Sequence, residues 1–284
     1  MKRLPLLLAT ALAPVIWGST YIVTTEFLPA DKPYMSAFIR AFPAGIILIL
    51  ISRSYPRARE WGKIILLSAL NITIFQAALF IAAYRLPGGI AAVIGTIQPL
   101  IVIWLIWVMD KKAPSSLTIL GCISCIVGMS LLLLTPAALA ELDALGVIAA
   151  FTGAVCMGLG TFLAKKWTFS ISITGFSGWQ LFLGSLMLLP VAAYEDLPLP
   201  ALTAEHIVSY VYLSVIGAVV AYFLWFNGVK KLSAVAVSVL GLLSPLTAAL
   251  SGWFFLNESM SFISLLGFVI VLTSILLVQK SVTD

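Results

Sequence analysis

Nine stretches of this 284-residue chain run uncharged for long enough to cross a bilayer, and a tenth is interrupted only by Arg40. A spanning helix needs about 20 consecutive apolar residues. Read between charges, the expected spans are about 4–25, 33–52, 64–84, 87–109 and 115–134. They continue at about 144–164, 172–194, 207–229, 232–255 and 260–279. Hydrophobic residues make up 62% of the chain and charged ones 10%. Soluble domains carry about 25% charge, and the mean hydropathy here is +1.13. The reading is an all-α polytopic membrane protein whose loops leave no room for a soluble domain.

Met1, Lys2 and Arg3 followed by an apolar run imitate a signal peptide. Pro14 directly after the Ala11–Ala13 pattern is a poor cleavage context, and the apolar run continues past it, so an uncleaved first span is expected.

Orientation follows from the basic residues. With the N-terminus inside, Lys2, Arg3, Arg53, Arg57, Arg59, Lys63, Lys111, Lys112, Lys165, Lys166, Lys230, Lys231 and Lys280 fall inside. Only Lys32 and Arg85 fall outside, together with Glu26, Asp31, Glu141, Asp143, Glu195, Asp196, Glu205 and Glu258. The expected topology is N-in and C-in. The net charge of +5 then needs no nucleic acid to explain it.

A stretch near mid-chain recurs. An offset of 146 lays Gly95 on Gly241, Pro99 on Pro245, Leu100 on Leu246, Trp107 on Trp253, Ser115 on Ser261 and Gly121 on Gly267. At a second offset of 140, Trp17 and Gly18 lie over Met157 and Gly158, Ala37 over Ser177, Arg40 over Gln180, and Phe42 over Phe182. Two five-helix repeats are expected, residues 1–140 and 141–284. Five is odd, so the second repeat enters from the opposite side: an inverted repeat of the kind alternating-access transporters use.

Each repeated proline lacks the N–H that would bond four residues back. The carbonyls of Gly95 and Gly241 are therefore expected to be under-satisfied beside a bend, facing protein or a wet cavity rather than lipid. Gly95, Pro99, Gly241 and Pro245 are the candidate gating residues.

Trp17, Gly18, Ser19 and Thr20 in the first span and Ala37–Arg40 in the second carry a resemblance. So do Leu232–Val237, Leu243–Leu246, Leu256–Glu258 and Leu265–Gly267 in the second half. The chain resembles the drug/metabolite transporter superfamily, in particular the EamA family of ten-span bacterial permeases. The resemblance covers nearly the whole chain and departs where Lys112 matches Glu258. It implies ten helices in two inverted repeats around a central cavity, in a bacterial-type inner (plasma) membrane. It also implies export of small metabolites, often amino acids. Related carriers handle aromatic amino acids, threonine, cysteine derivatives, pigments or cationic drugs.

Candidate substrate-binding residues are polar or aromatic groups inside spans. Arg40 is the one intramembrane charge, either a carboxylate site or a structural cap, for instance on a bend at Pro43. Gln98 and Ser244 precede the paired prolines. Asn71, Thr73 and Gln76 form a polar stripe in span three, with Tyr222 and Asn227 as counterparts in span eight. Gln180 stands in the place of Arg40. Thr20, Trp17, Trp104, Trp179 and Trp225 complete the set, the aromatics suiting flat or apolar substrate parts. Trp61, Trp167 and Tyr194 read as interface-belt residues.

No span contains Asp or Glu, so no proton carrier is evident and uniport is as credible as proton antiport. Cys122 and Cys125 have CxxC spacing but no third ligand nearby; with Cys156 they read as packing residues. His206 reads as a polar residue at a loop–helix junction. Without metal ligands, a phosphate-binding loop or clustered nucleophiles, neither an enzyme nor a cofactor is expected. The expected partners are a small-molecule substrate and the lipid bilayer, with one chain sufficient for transport whether or not it oligomerises. Alternatives are efflux of toxic compounds and, further off, an intramembrane lipid-handling enzyme. A passive channel is disfavoured because the repeats lie within one chain and no charge ring lines a pore.

Overall fold

The computed structural model describes residues 3–29, 32–86, 88–134, 142–255 and 261–282. Lys2, Asp31, Glu141 and Glu258, used above for orientation and resemblance, lie outside these residues. The described residues form ten helices long and apolar enough to cross a membrane. They are α1 (Leu4–Thr24), α2 (Pro33–Ser52), α3 (Ala58–Ala82), α4 (Ile90–Asp110) and α5 (Ser116–Leu133). The rest are α6 (Ala144–Lys166), α7 (Ile173–Glu195), α8 (Ala204–Lys231), α9 (Ala234–Phe255) and α10 (Phe262–Ser281).

Helix starts follow ordinary capping chemistry. Ser115 and Ser261, matched by the 146 offset, both accept an N–H three residues on, from Thr118 and Ser264. Asp143, Ser172 and Ser233 do the same for α6, α7 and α9. Thr203 and His206 cap each other reciprocally at the start of α8, so the lone histidine does stand at a loop–helix junction. Helix α3 begins before its expected start, because Glu60 is buried at its first turn. Its carboxylate accepts the N–H groups of Arg57 and Ser170 and the Ser170 hydroxyl.

Two pairs of helices five apart pack closely together. Helix α2 packs on α7 and α5 on α10, while α3 and α4 pack on α6 as α8 and α9 pack on α1. These contacts map onto themselves when each helix is replaced by the one five later, although α6 also touches α8 and α9 where α1 makes no matching contact of that extent with α3 and α4. Pairs five apart run antiparallel. Gly45 meets Phe182, and Gly178 meets Leu48 and Ile49. A Cβ on Gly45 would lie 2.5 Å from the Phe182 nitrogen, and one on Gly267 would lie 2.5 Å from the Gly128 carbonyl. In lipid, close backbone approach at small residues replaces the hydrophobic drive between helices. Cys122, Cys125 and Cys156 are free and buried, as packing residues are.

Two irregularities position the centre. A π-helical turn occupies Ala69–Ile74 in α3 and another occupies Val215–Val220 in α8, again 146 residues apart. Such turns carry a misfit carbonyl and often mark functional sites. The prolines interrupt α4 and α9. Helix α4 turns at Thr96 and Ile97 and restarts at Gln98; α9 turns at Gly241 and Leu242 and restarts at Leu243. The expectation of an under-satisfied Gly241 carbonyl is corrected, because it accepts the Ser244 N–H at 3.1 Å. The tighter turn brings the donor three residues on into range, replacing the one Pro245 lacks. Pro43 lies within an unbroken α2.

Candidate functional site

The Gly217 carbonyl, in the π turn of α8, is the hub of the polar centre. Trp17 Nε1 donates to it at 3.0 Å and Arg40 Nη2 at 3.2 Å. Arg40 thus caps a misfit carbonyl across the helix interface rather than a bend at Pro43. A guanidinium carries five N–H donors, and this bond uses one. The ion pairs among the described residues are Arg85 with Asp143 and Lys166 with Asp110, both at helix ends. Among the described residues, Arg40 therefore has no carboxylate partner.

Aromatic groups flank it. The Trp17 ring lies 5.0 Å from Tyr222 and 5.2 Å from Trp225. Tyr222 and Trp225 are buried, and the Tyr222 hydroxyl interacts with the Gln76 amide and with the Arg40 charge. Gln76 and Tyr222 are 146-offset counterparts, so they meet across the two halves. Thr20 is buried against Gly217 and bonds back to the Trp17 carbonyl at 2.6 Å.

The other half builds the same place from different residues. Asn71, the counterpart of Gly217, donates from Nδ2 to Gln180 Oε1 at 2.8 Å. Gln180, the counterpart of Arg40, is fully buried, and its Nε2 has no partner among the described residues. Gly160, the counterpart of Thr20, lies so close to Asn71 Oδ1 that a Cβ there would overlap it. Thr73 donates to the Gly184 carbonyl at 2.8 Å. The amide pair is sealed in helix packing, whereas Arg40 is only half-buried.

Gln98 sits at the restart of α4. Its Nε2 has no partner among the described residues, and its Oε1 lies 4.0 Å from where a Gly241 Cβ would stand, beside the Trp225 ring. The two bends therefore face each other through Gln98. A cavity of about 80 Å³ opens next to it between α3, α4 and α6, lined by Phe75, Leu79, Gly95, Gly153 and Met157 among others. In the other half Trp225 stands for Leu79 and Trp17 for Met157, and the two rings lie 5.2 Å apart. Pro99 is buried, and Ser244 presents its carbonyl to Gly18.

Three candidates fall elsewhere. Trp179 is corrected from the centre to the α2–α3 connection. Its Nε1 donates to the Ser54 carbonyl at 3.0 Å, and its ring packs on Tyr55 and Trp61. It directly precedes Gln180, and successive helical residues point about 100° apart. Trp104 is 57% exposed and joins none of the ring contacts among the described residues. Asn227 is half-buried on α8 and does not join the cluster. Gly217 and Gly160 escaped notice in the sequence, although their offsets to Asn71 and Thr20 were available as a signal.

A second cavity, about 330 Å³, lies where α6 and α8 end, lined by Lys165, Trp167, Phe169, Phe176 and Lys230. Lys230 donates to the Ala164 and Trp167 carbonyls and stands 4.8 Å over both phenyl rings, so its charge is committed to capping α6. Among the described residues, no group of three or more His, Cys, Asp or Glu side chains could hold a metal ion.

The EamA-like transporter family matches residues 4–134 and again residues 144–279. Protein PecM of Dickeya dadantii is 43% identical over 270 residues, covering 94% of this chain and 90% of that protein. An uncharacterized transporter of Bacillus subtilis, YvbV, is 27% identical over 98% of this chain and 94% of its own. A solved crystal structure superposes with a TM-score of 0.80 over 99% of both chains at 14% identity, which speaks to the fold alone. Ten apolar helices and these matches identify the chain as a multi-pass membrane transporter that belongs to the EamA-like transporter family.

Proposed function

We propose that this protein is a secondary transporter that exports small carboxylate-bearing metabolites, aromatic or apolar amino acids foremost, by alternating access. The observation that supports the substrate class is Arg40. It is a charge inside a membrane helix, fixed on one side by the Gly217 carbonyl and lacking a carboxylate partner among the described residues. A charge within a membrane span without a counter-ion is costly, and a substrate carboxylate supplies one. Trp17 and Tyr222 beside it offer surface to an apolar or aromatic substrate body. The same charge argues against cationic drugs as cargo. In this reading the chain lies N-in and C-in in a bacterial inner membrane. Its halves, residues 1–140 and 141–284, are inverted repeats, in keeping with the antiparallel pairing of helices five apart.

The test is reconstitution into proteoliposomes with a panel of amino acids and other metabolites, with and without a pH gradient. Arg40→Gln, which copies the residue at Gln180, is expected to weaken carboxylate-substrate affinity by roughly tenfold or more. That is the scale of losing a hydrogen bond to a charged group, about 1.5–3 kcal/mol. Undiminished affinity in a correctly folded Arg40→Gln protein would reassign Arg40 to structure alone.

A further inference from the structure

Matched glycines occupy matched helix crossings in the two halves, but at different spacings. On α1, a Cβ at Gly18 would stand 2.5 Å from the Ser244 carbonyl and 3.0 Å from Thr247 Cγ2, overlapping Thr247 Cβ outright. On α6, Gly158 is the counterpart of Gly18, and it faces Gln98 and Ile101, the counterparts of Ser244 and Thr247. There the same Cβ would stand 3.5 Å from the Gln98 carbonyl and 3.1 Å from Ile101 Cγ2. The first crossing admits glycine only. The second would accept alanine with a shift of a few tenths of an ångström at one methyl group. The spacing seen here therefore presses far less on position 158 than the tighter spacing does on position 18.

We propose that Gly18 and Gly158 are the two alternating closure points of the transport cycle. In this structure α1 is closed on α9 and α6 is relaxed from α4; in the opposite-facing state the two spacings exchange. Gly18 and Thr247 lie just past the midpoints of α1 and α9 on the C-terminal side, and Gly158 and Ile101 just past those of α6 and α4. With the N-in orientation, the first crossing seals the outer side and the second the inner side. The first crossing lies one residue from Trp17 in the polar centre, and the second lies one residue from Met157, which lines the cavity beside Gln98. The inference rests on the transporter reading above, but it concerns the helices and not the cargo.

The test uses the full chain in liposomes, with Cys122, Cys125 and Cys156 replaced by alanine. Spin-label pairs are placed at Phe27 with Phe255 and, separately, at Met109 with Thr168. Pulsed electron paramagnetic resonance reads the two distances. The unsubstituted protein should exchange between a short-outer, long-inner state and its converse. Gly158→Ala should lose the converse state and with it transport, because its Cβ fits the present spacing and blocks the closed one. Gly18→Ala should shift the populations the opposite way. Gly158→Ala fits the structure as it stands, so it decides the matter even where Gly18→Ala fails to fold. Unchanged distances and transport in Gly158→Ala would overturn the proposal, as would shifts in the same direction for both variants. A protein that exchanges the distances yet moves none of the tested solutes would leave the gate standing and overturn the substrate reading.

Discussion

Asn71 donates to Gln180 at 2.8 Å where the other half sets the Gly217 carbonyl against Arg40 at 3.2 Å. The two contacts are counterparts at offsets of 146 and 140. One half closes the place with a neutral amide pair, and the other leaves a charge with donors to spare. A symmetric scaffold thereby acquires one asymmetric binding group.

The amide pair makes a stability prediction. Asn71→Ala leaves Gln180 with neither amide group bonded, and an unsatisfied buried group costs about 1–3 kcal/mol. Thermal unfolding in detergent should show that loss. Asn71→Ala combined with Gln180→Leu should recover most of it, since removing both partners leaves nothing unpaired.

Gly160→Ala should be among the more damaging small substitutions. Its Cβ would overlap Asn71 Oδ1, which is held by its bond to Gln180. Overpacking of this kind costs typically about 1–3 kcal/mol. Asn71→Ala in the same chain should relieve the overlap, and a double-mutant cycle measured by thermal unfolding would read the coupling.

The tryptophans should separate by role. Trp179→Phe removes the bond to the Ser54 carbonyl and should cost about 0.5–1.5 kcal/mol of stability, with substrate affinity unchanged. Trp104→Ala, on an exposed surface, should leave affinity unchanged as well. Trp17→Phe removes a donor to Gly217 beside Arg40 and should weaken affinity. Binding titrations on the three purified variants check the order.

The two bend glycines should also differ. A Cβ on Gly95 meets nothing within 4 Å, whereas one on Gly241 stands 3.1 Å from the Ser238 carbonyl and 3.4 Å from Trp225. Gly95→Ala should fold normally, so any fall in its transport rate reports lost freedom at the bend. Gly241→Ala should lower thermal stability as well as rate.

Much of the architecture was legible in the chain because a membrane makes charge placement decisive. Ten runs and the repeat offsets could be read without contacts, as Ser115 and Ser261 show by capping matched helices. The proline bends were legible as breaks. The fate of the Gly241 carbonyl was not, because it depends on how tightly the turn winds. Arg40 could be singled out as the one intramembrane charge, but not its acceptor. That acceptor is a glycine carbonyl 177 residues away, exposed by a π turn that no local pattern announces.

The sequence by itself determined that this chain lies in a membrane as ten helices and repeats itself, because apolar length and fixed offsets are local and additive. Only the tertiary structure decided which members of each matched pair touch, and how closely. Trp179 and Gln180 are adjacent in sequence, yet one packs at a helix end and the other pairs with Asn71 in the interior. The closeness of Gly18 to α9, against the looser fit of Gly158 on α4, is a property of two helix axes. Residue identity permits that spacing but cannot set it.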